Sequence, residues 1–346
     1  MKVPCLDNLA VHSLGEANRV RRRLLLALTA APFCSVAQSP AKVWRVGWLE
    51  WTDQGKFSEV TSRAFIEGLR NAGYVQGQNL TIEKRVAAGD RKRLQAQARE
   101  LAALKVDVLF TPSKAATDAA WYASRAIPTV IATVTDPVMV QYANSLARPG
   151  KHITGVTTAS AELTGKRFEL LHQATGAKRI AVLYDETLYD SCQEELKQFR
   201  AAAKTLGVAL VEVGVPNLAV NIASLEPAFQ KIVDSKAQAL VMPLFTSVAD
   251  VAPEIARLAV RHKLPTMHEA EGTADSGYLM TYGPDFADIY RRAAGYVVRI
   301  MKGEKPADMA IEEPHRFVFV VNLRVAKSLG INLPQATLLR ADRVIE

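Results

Sequence analysis

The chain has 346 residues, which is long enough for two ordinary domains, and it carries a formal net charge of +8. The basic residues are spread along the sequence instead of forming a stripe with aromatic residues between them, which argues against a nucleic-acid-binding surface. Three cysteines in a chain of this length exclude the disulfide-rich class of small secreted domains.

The N-terminal segment has the pattern of an export signal. Three consecutive arginines, 21 to 23, run into an apolar stretch from Leu24 to Val36, and small residues precede Gln38. A basic region, a short apolar region and small residues before the cut are typical of a secretory signal peptide. We therefore predict a signal peptide over residues 1–37 and a periplasmic location, reached by the general secretory or the twin-arginine route.

Two further expectations follow from the export signal. The residues before Cys34 include Pro32 and Phe33, which are too large for a lipid-attachment motif, so we expect no lipid anchor. Cleavage would leave Cys192 as the remaining cysteine, so no internal disulfide can form and hydrophobic cores must stabilise the fold.

Beyond the signal, short β-branched runs alternate with amphipathic helical patterns in two successive series. This alternation is typical of βαβ units and parallel sheets. The first series predicts strands over residues 43–49, 80–86, 106–111 and 128–134. The second predicts strands over residues 179–184, 208–213, 239–243 and 264–268. The sequence thus predicts an α/β fold of two doubly wound, Rossmann-like lobes with parallel sheets.

The C-terminal segment contains two more predicted strands, over residues 278–282 and 316–321, with an amphipathic helix between them. This is too little material for a third domain, so we expect the chain to cross back and complete both lobes. The predicted first lobe comprises residues 43–155 and 275–312, and the second comprises 156–274 and 313–346. Two lobes joined by several crossovers can hinge about a ligand cleft.

Motifs for nucleotide binding and covalent catalysis do not occur. There is no G-x-x-x-x-G-K-[ST] loop, no G-x-G-x-x-G after a strand and no G-x-S-x-G elbow. The histidines are scattered, and no H-E-x-x-H motif is present. We therefore expect no cofactor, no metal and no enzymatic activity, although a secreted hydrolase stays open as an alternative.

Candidate ligand contacts lie in the loops after the predicted strands, because ligands of open α/β sheets bind beyond the carboxyl ends of the strands. In the first lobe, Trp51 follows the first strand and either faces a ligand or packs on its own lobe. Ser113 follows the third strand and caps a helix whose free N–H groups favour a carboxylate, or is a plain N-cap without a ligand. Thr135 and Asp136 follow the fourth strand, and Asp136 either receives a ligand ammonium or caps a turn.

The second lobe has matching candidates. Asp185 follows its first strand, and Phe245 follows its third, where it either packs or covers the cleft. Glu269 lies at the inferred crossover, where its carboxylate forms either a ligand contact or a hinge bond. These loops complete the candidate site.

Several fragments of the chain resemble one protein family in their order and spacing. They are Ser145-Leu146-Ala147-Arg148-Pro149-Gly150, Thr154-Gly155, Lys166-Arg167 with Glu169-Leu170-Leu171, Gly73-Tyr74, Asp136-Pro137-Val138, Tyr282-Gly283-Pro284-Asp285, Lys302-Gly303 and Leu339-Arg340-Ala341-Asp342. Over about residues 43–346 the chain resembles the substrate-binding proteins of ABC transporters, in the subgroup that includes tryptophan- and tyrosine-binding members.

The resemblance implies a type I periplasmic binding protein that closes over a small ligand and delivers it to an ABC permease in the inner membrane. We expect a monomer and an amino acid or similar zwitterion as ligand. Its carboxylate would lie near Ser113, its ammonium near Asp136 or Glu269, and its side chain against Trp51 or Phe245. A receptor that feeds a membrane signalling partner has the same sequence features and stays open as an alternative.

Overall fold

The fold consists of two α/β lobes that belong to one compact unit, Val43–Glu346. The structure is a computed structural model. It describes Met1 and residues 42–52, 55–135, 142–158, 160–218, 221–243 and 251–346. The predicted signal peptide, Asp136 and Phe245 therefore lie outside the described residues.

The first lobe is built on a five-stranded, fully parallel sheet in the order β2-β1-β3-β4-β5. Its strands are β1 Trp44–Glu50, β2 Leu80–Val86, β3 Val108–Thr111, β4 Thr129–Val134 and β5 Ile153–Thr157. Its helices are α1 Gly55–Asn71, α2 Arg91–Ala103 and α3 Lys114–Ala123.

The second lobe is built on a seven-stranded sheet in the order β12-β11-β10-β9-β8-β6-β7. Its first strands are β6 Arg179–Asp185, β7 Ala209–Val215, β8 Ala239–Val241 and β9 Thr266–His268. Its last strands are β10 Met280–Pro284, β11 Phe317–Asn322 and β12 Arg343–Ile345. Every described pair in it is parallel except β10 with β11.

The second lobe also contains helices between and after its strands. They are α4 Ser160–Thr175, α5 Tyr189–Leu206, α6 Leu225–Asp234, α7 Ala252–Arg261, α8 Gly272–Asp275, α10 Leu323–Leu329 and α11 Gln335–Leu338. A 3-10 turn, Glu186–Leu188, links β6 to α5. The long helix α9, Phe286–Met301, belongs instead to the first lobe, where it packs against α1.

The predicted βαβ organisation is confirmed, and the local reasons are visible in α2. Asp90 adopts an extended conformation, and its carboxylate accepts hydrogen bonds from two backbone N–H groups of the first turn. Leu94, Ala98 and Leu101, spaced at i, i+4 and i+7, form the buried face of the helix. The helix therefore begins and faces inward as its sequence predicts.

The allocation of the C-terminal segment to the lobes differs from the prediction. Residues 275–312 were expected in the first lobe, but β10 pairs with β9 and β11 in the sheet of the second lobe. The chain leaves this sheet after β10, contributes α9 to the first lobe and returns through β11. The chain re-enters at the same edge by which it left, with Phe317 opposite Pro284, so β11 runs antiparallel to β10.

Two edge strands were not predicted. β5 pairs with β4 because Gly155, at φ 137°, lets the two backbones approach: a Cβ there would lie 2.3 Å from the carbonyl oxygen of Ile131. β12 forms from the polar C-terminal tail, where Asp342 accepts a hydrogen bond from the backbone of Phe319 at 2.8 Å. Both strands depend on tertiary partners rather than on a hydrophobic pattern.

The core of the first lobe is aromatic and holds α1 and α9 on one face of the sheet. The Phe65 and Phe110 rings stack with centroids 4.0 Å apart, and Trp48 meets Phe65 edge-on at 5.0 Å. Gly68 on α1 permits close contact, since a Cβ there would lie 2.8 Å from the Cβ of Ala294 on α9. This packing ties the returning helix to the first lobe.

Candidate functional site

The carboxyl ends of the strands of the two lobes face each other, and we call the space between them the cleft edge. Arg91, which follows β2 of the first lobe, donates from Nη2 to the backbone carbonyl of Thr187, which follows β6 of the second, at 2.9 Å. A continuous apolar core also joins the lobes and includes Trp51 from the first and Leu188 from the second. The loops predicted as candidate sites therefore meet at one place.

Trp51 and Thr52, directly after β1, present buried polar atoms at the cleft edge. Each residue is 3% exposed, and neither Trp51 Nε1 nor Thr52 Oγ1 has a hydrogen-bond partner among the described residues. The loop after β2 holds this segment in place, since Gly89 donates its backbone N–H to the carbonyl of Trp51 at 3.1 Å. A buried donor without a partner is costly, so both groups are available to a polar ligand.

Thr157, the last residue of β5, is a third such group. Its side chain is fully buried, and its hydroxyl has no hydrogen-bond partner in the described part of the chain. Its backbone N–H donates to the carbonyl of Glu312 on the returning crossover at 2.8 Å. The residues selected from the sequence did not include Thr52, although a threonine after a predicted parallel strand was a usable signal. They could not include Thr157 on that ground, because β5 itself was not predicted.

Ser113 and Thr135 occupy the neighbouring strand ends. Ser113 is the N-cap of α3, and its Oγ accepts a hydrogen bond from the backbone N–H of Ala116 at 3.3 Å. Thr135 is half-buried directly after β4. The role of Ser113 as a cap is thus established, while its contact with a ligand and that of Thr135 stay predictions.

Asp185 has local hydrogen bonds on both of its carboxylate oxygens. Oδ1 accepts from the backbone N–H and the hydroxyl of Thr187 at 3.0 and 2.6 Å, and Oδ2 accepts from the backbone N–H of Leu218 at 3.0 Å. The side chain is 1% exposed. These contacts organise the loop after β6, and the contact of Asp185 with a ligand stays a prediction.

Glu269, the other acidic candidate of the second lobe, belongs to a buried ionic cluster. Its Oε2 lies 3.1 Å from Nη1 of Arg167 on α4, and Arg167 Nη2 lies 3.3 Å from Oε2 of Glu195 on α5. Arg167 also donates to the hydroxyl of Thr164 at 2.8 Å. We call Arg167, Glu195 and Glu269 the ionic cluster.

The ionic cluster combines one guanidinium with two carboxylates, and each of its side chains is at most 2% exposed. When both carboxylates are ionised the cluster carries an excess negative charge, which favours a nearby cation in a medium of low dielectric constant. Glu269 follows β9, so this charge lies at the carboxyl end of the second sheet. Neither Arg167 nor Glu195 was predicted as a site residue, because their partners are distant in sequence.

His268, the last residue of β9, is fully buried beside the ionic cluster. Burial and, to a smaller extent, the nearby positive charge of Arg167 together lower the pKa of His268 to about 3. Its Nδ1 accepts a hydrogen bond from the backbone N–H of Ala270 at 3.2 Å. The imidazole is therefore neutral at physiological pH and adds no positive charge to this edge.

The described residues contain no group of three or more His, Cys, Asp or Glu side chains with the geometry of a metal site. Within the same part of the chain, no helix has both the length and the apolar character needed to span a membrane. The thiol of Cys192 is buried and donates to the carbonyl of Tyr189 at 3.3 Å, and burial raises the pKa of this thiol to about 12. It therefore does not act as a ready nucleophile.

Similar proteins were found at the level of both sequence and structure. A tyrosine-binding protein from Clostridioides difficile is 25% identical over 270 residues, which cover 78% of this chain and 76% of the relative. A conserved domain protein from Vibrio cholerae superposes with a TM-score of 0.80 at 25% identity, over 88% of this chain and 100% of its own.

Two further solved structures resemble the chain at 24% identity. An ABC domain from Streptococcus pneumonia in complex with L-Trp has a TM-score of 0.76 and covers 87% of this chain and 100% of its own. A ligand-free, open substrate binding protein with adhesive properties from Clostridium difficile has a TM-score of 0.60 and covers 88% and 99%.

The model of one family spans most of the sequence. It describes the ABC transporter substrate binding proteins and matches residues 58–345, which run from within α1 to the end of β12 and include all the crossovers between the lobes. The two lobes, their parallel sheets and the facing strand ends agree with this match. The chain belongs to the family of ABC transporter substrate binding proteins.

Proposed function

We propose that the chain captures an amino acid with an aromatic side chain between its two lobes and delivers it to an ABC permease. The observation that carries this proposal is the polarity of the cleft edge. The first lobe presents buried hydroxyl and indole groups that have no hydrogen-bond partner among the described residues, and the second presents the ionic cluster with its excess of carboxylates. A zwitterion matches this arrangement.

The buried polar groups of the first lobe and the ionic cluster of the second form two poles of the cleft edge, and each pole suits one charged group of an amino acid. Trp51 Nε1 is a pure donor, and the hydroxyls of Thr52 and Thr157 can also donate, so together they suit the ligand carboxylate. The carboxylates of the ionic cluster suit the ligand ammonium, through direct contact or through the field of the excess charge. The indole ring of Trp51 adds an apolar surface against which an aromatic side chain can pack.

The relatives support both the ligand class and the closed arrangement. One is described as a tyrosine-binding protein, and another was solved in complex with L-Trp. The chain resembles the tryptophan-bound structure at a TM-score of 0.76 and the ligand-free, open one at 0.60, with the same identity of 24%. We infer a closed arrangement of the lobes from this difference.

The export signal and the family complete the proposal. A signal peptide over residues 1–37 would place the receptor in the periplasm, where it meets the permease as a monomer. Ligand binding closes the lobes, and the closed form then presents a surface made by both lobes to the permease. This order of events requires only that the ligand bind the closed form more tightly than the open one.

Calorimetric titration with L-tyrosine and L-tryptophan tests the ligand class. Two analogues of L-tryptophan separate the poles: tryptamine lacks the carboxylate, and indole-3-propionate lacks the ammonium. We expect both amino acids to bind and each analogue to lose at least roughly tenfold in affinity, since each leaves a buried polar group unpaired. Absence of binding by both amino acids would refute the proposal, and equal binding of an analogue would refute the corresponding pole.

A further inference from the structure

The hydrogen bond between Arg91 and Thr187 joins the lobes at a point outside the polar groups assigned to the ligand. It joins the side chain of Arg91 to a backbone carbonyl 96 residues further along the chain. The bond crosses the cleft edge, away from the crossovers. Arg91 is exposed, and its guanidinium is the donor to an uncharged carbonyl. A contact of this kind exists only while the strand ends of the two lobes face each other closely.

Both ends of this contact are held rigidly. On the first lobe, Arg91 is the first residue of α2, and the preceding Asp90 caps the helix. On the second lobe, the carboxylate of Asp185 accepts hydrogen bonds from the backbone N–H and the hydroxyl of Thr187, which hold the residue whose carbonyl accepts the bond from Arg91. The bond therefore needs no ordering of a flexible loop when the lobes close.

We propose that Arg91 and the carbonyl of Thr187 form a latch that stabilises the closed form and slows ligand release. The inference rests on the proposed function, because it assigns to Arg91 a positioning role in ligand retention. A bond made only in the closed form raises the fraction of closed protein in the presence and in the absence of ligand. Its loss acts mainly on the dissociation rate, since the encounter of ligand with the open form does not involve it.

The test compares Arg91→Ala with Arg91→Lys and with a matched control, Arg99→Ala. Arg99 lies on the exposed surface of the same helix, and no hydrogen bond or ion pair is recorded for it within the described ranges. Dissociation of L-tyrosine and of L-tryptophan is followed by stopped-flow fluorescence on the full chain. Small-angle X-ray scattering of the ligand-free proteins measures the average opening of the lobes.

We expect Arg91→Ala to release both amino acids roughly five- to tenfold faster, with little change in association, as suits the loss of one charge-assisted hydrogen bond. Arg91→Lys keeps a cationic donor and should recover part of the loss, while Arg99→Ala should behave as wild type. An unchanged dissociation rate for Arg91→Ala would overturn the latch. So would unequal effects on the two amino acids, because these would indicate direct contact between Arg91 and the ligand.

Small-angle X-ray scattering of the ligand-free proteins allows the latch to be tested independently of the proposed ligand. If neither amino acid binds the wild-type chain, the proposed function fails, and the latch is judged from the ligand-free proteins alone. The latch predicts a larger radius of gyration for Arg91→Ala than for Arg99→Ala at equal melting temperature. Equal radii would overturn it.

Discussion

Replacing Trp51 with phenylalanine should separate ligand affinity from stability. The change keeps an aromatic ring in a position that is 3% exposed and removes an indole N–H that has no partner in the described part of the chain. If the ligand carboxylate accepts from this N–H, its loss costs about 1.4 kcal/mol, which corresponds to a tenfold rise in Kd. The ligand-free protein loses no hydrogen bond.

The expected effect on stability follows from two opposing contributions. The smaller ring gives up part of its packing, which costs roughly 1–2 kcal/mol, while removal of a buried N–H without a partner relieves a desolvation penalty of roughly 1–3 kcal/mol. The free energy of unfolding should therefore fall by no more than about 1 kcal/mol. Affinity and stability thus respond in different ways to the same substitution.

Calorimetry with L-tryptophan measures the affinity, and urea unfolding of the ligand-free protein measures the stability. The matched control is Trp121→Phe, because Trp121 lies in α3 and stacks on His152 at 4.9 Å, away from the cleft edge. This control should leave Kd unchanged. A Trp51→Phe variant with unchanged Kd and a stability loss above about 2 kcal/mol would show that Trp51 is only a packing residue.

The remaining predictions concern stability. Arg167→Met should destabilise the protein by about 3–5 kcal/mol, because it leaves two buried carboxylates without their cation. Urea unfolding measures this loss, and the exposed control Arg99→Met should lose less than about 0.5 kcal/mol. Equal losses in the two variants would contradict the role of the ionic cluster. Gly155→Ala should prevent β5 from pairing with β4 and should lower the melting temperature. The control is Gly176→Ala, because Gly176 also has a positive φ but a Cβ there would meet open space, so its melting temperature should fall far less. Similar falls in the two variants would refute the steric argument. His268 has a folded-state pKa near 3, below its unfolded value, so the unfolded state binds the extra proton and stability falls as pH drops below about 6.5. Between pH 7 and pH 5 the free energy of unfolding should fall by about 2 kcal/mol on this account. Urea unfolding at the two pH values measures this fall, and His268→Gln should abolish it. A variant that keeps the wild-type pH dependence would contradict the role of His268.

Much of the fold could be predicted from local patterns. The strands of the two series and the helices between them follow from β-branched runs and apolar spacing, as in α2, where Leu94, Ala98 and Leu101 form the buried face. The assignment of β10 to a lobe could not be predicted in this way. A short apolar strand fits either sheet, and its pairing with β9 and β11 depends on where the chain crosses between the lobes.

The candidate site was predicted less completely than the fold. Trp51 was identified because an aromatic residue follows a strand. It is buried, and its indole N–H has no partner in the part of the chain that the structure describes, which agrees with a site role. Asp185 has the same position in the sequence pattern, yet its carboxylate is occupied by Thr187 and Leu218. The pattern indicates which strand end a residue follows, but it does not indicate which hydrogen-bond donors surround the side chain.

By itself the sequence determined the family, the two series of βαβ units and the edge of the sheets at which a ligand would bind. These features depend on local spacing and on the order of short motifs, which are properties of the chain as written. Only the tertiary structure decided that Arg167 pairs with Glu269 and that Arg91 reaches Thr187. Such contacts join residues about a hundred positions apart, and their energies depend on distances and burial that exist only after both lobes have folded and met.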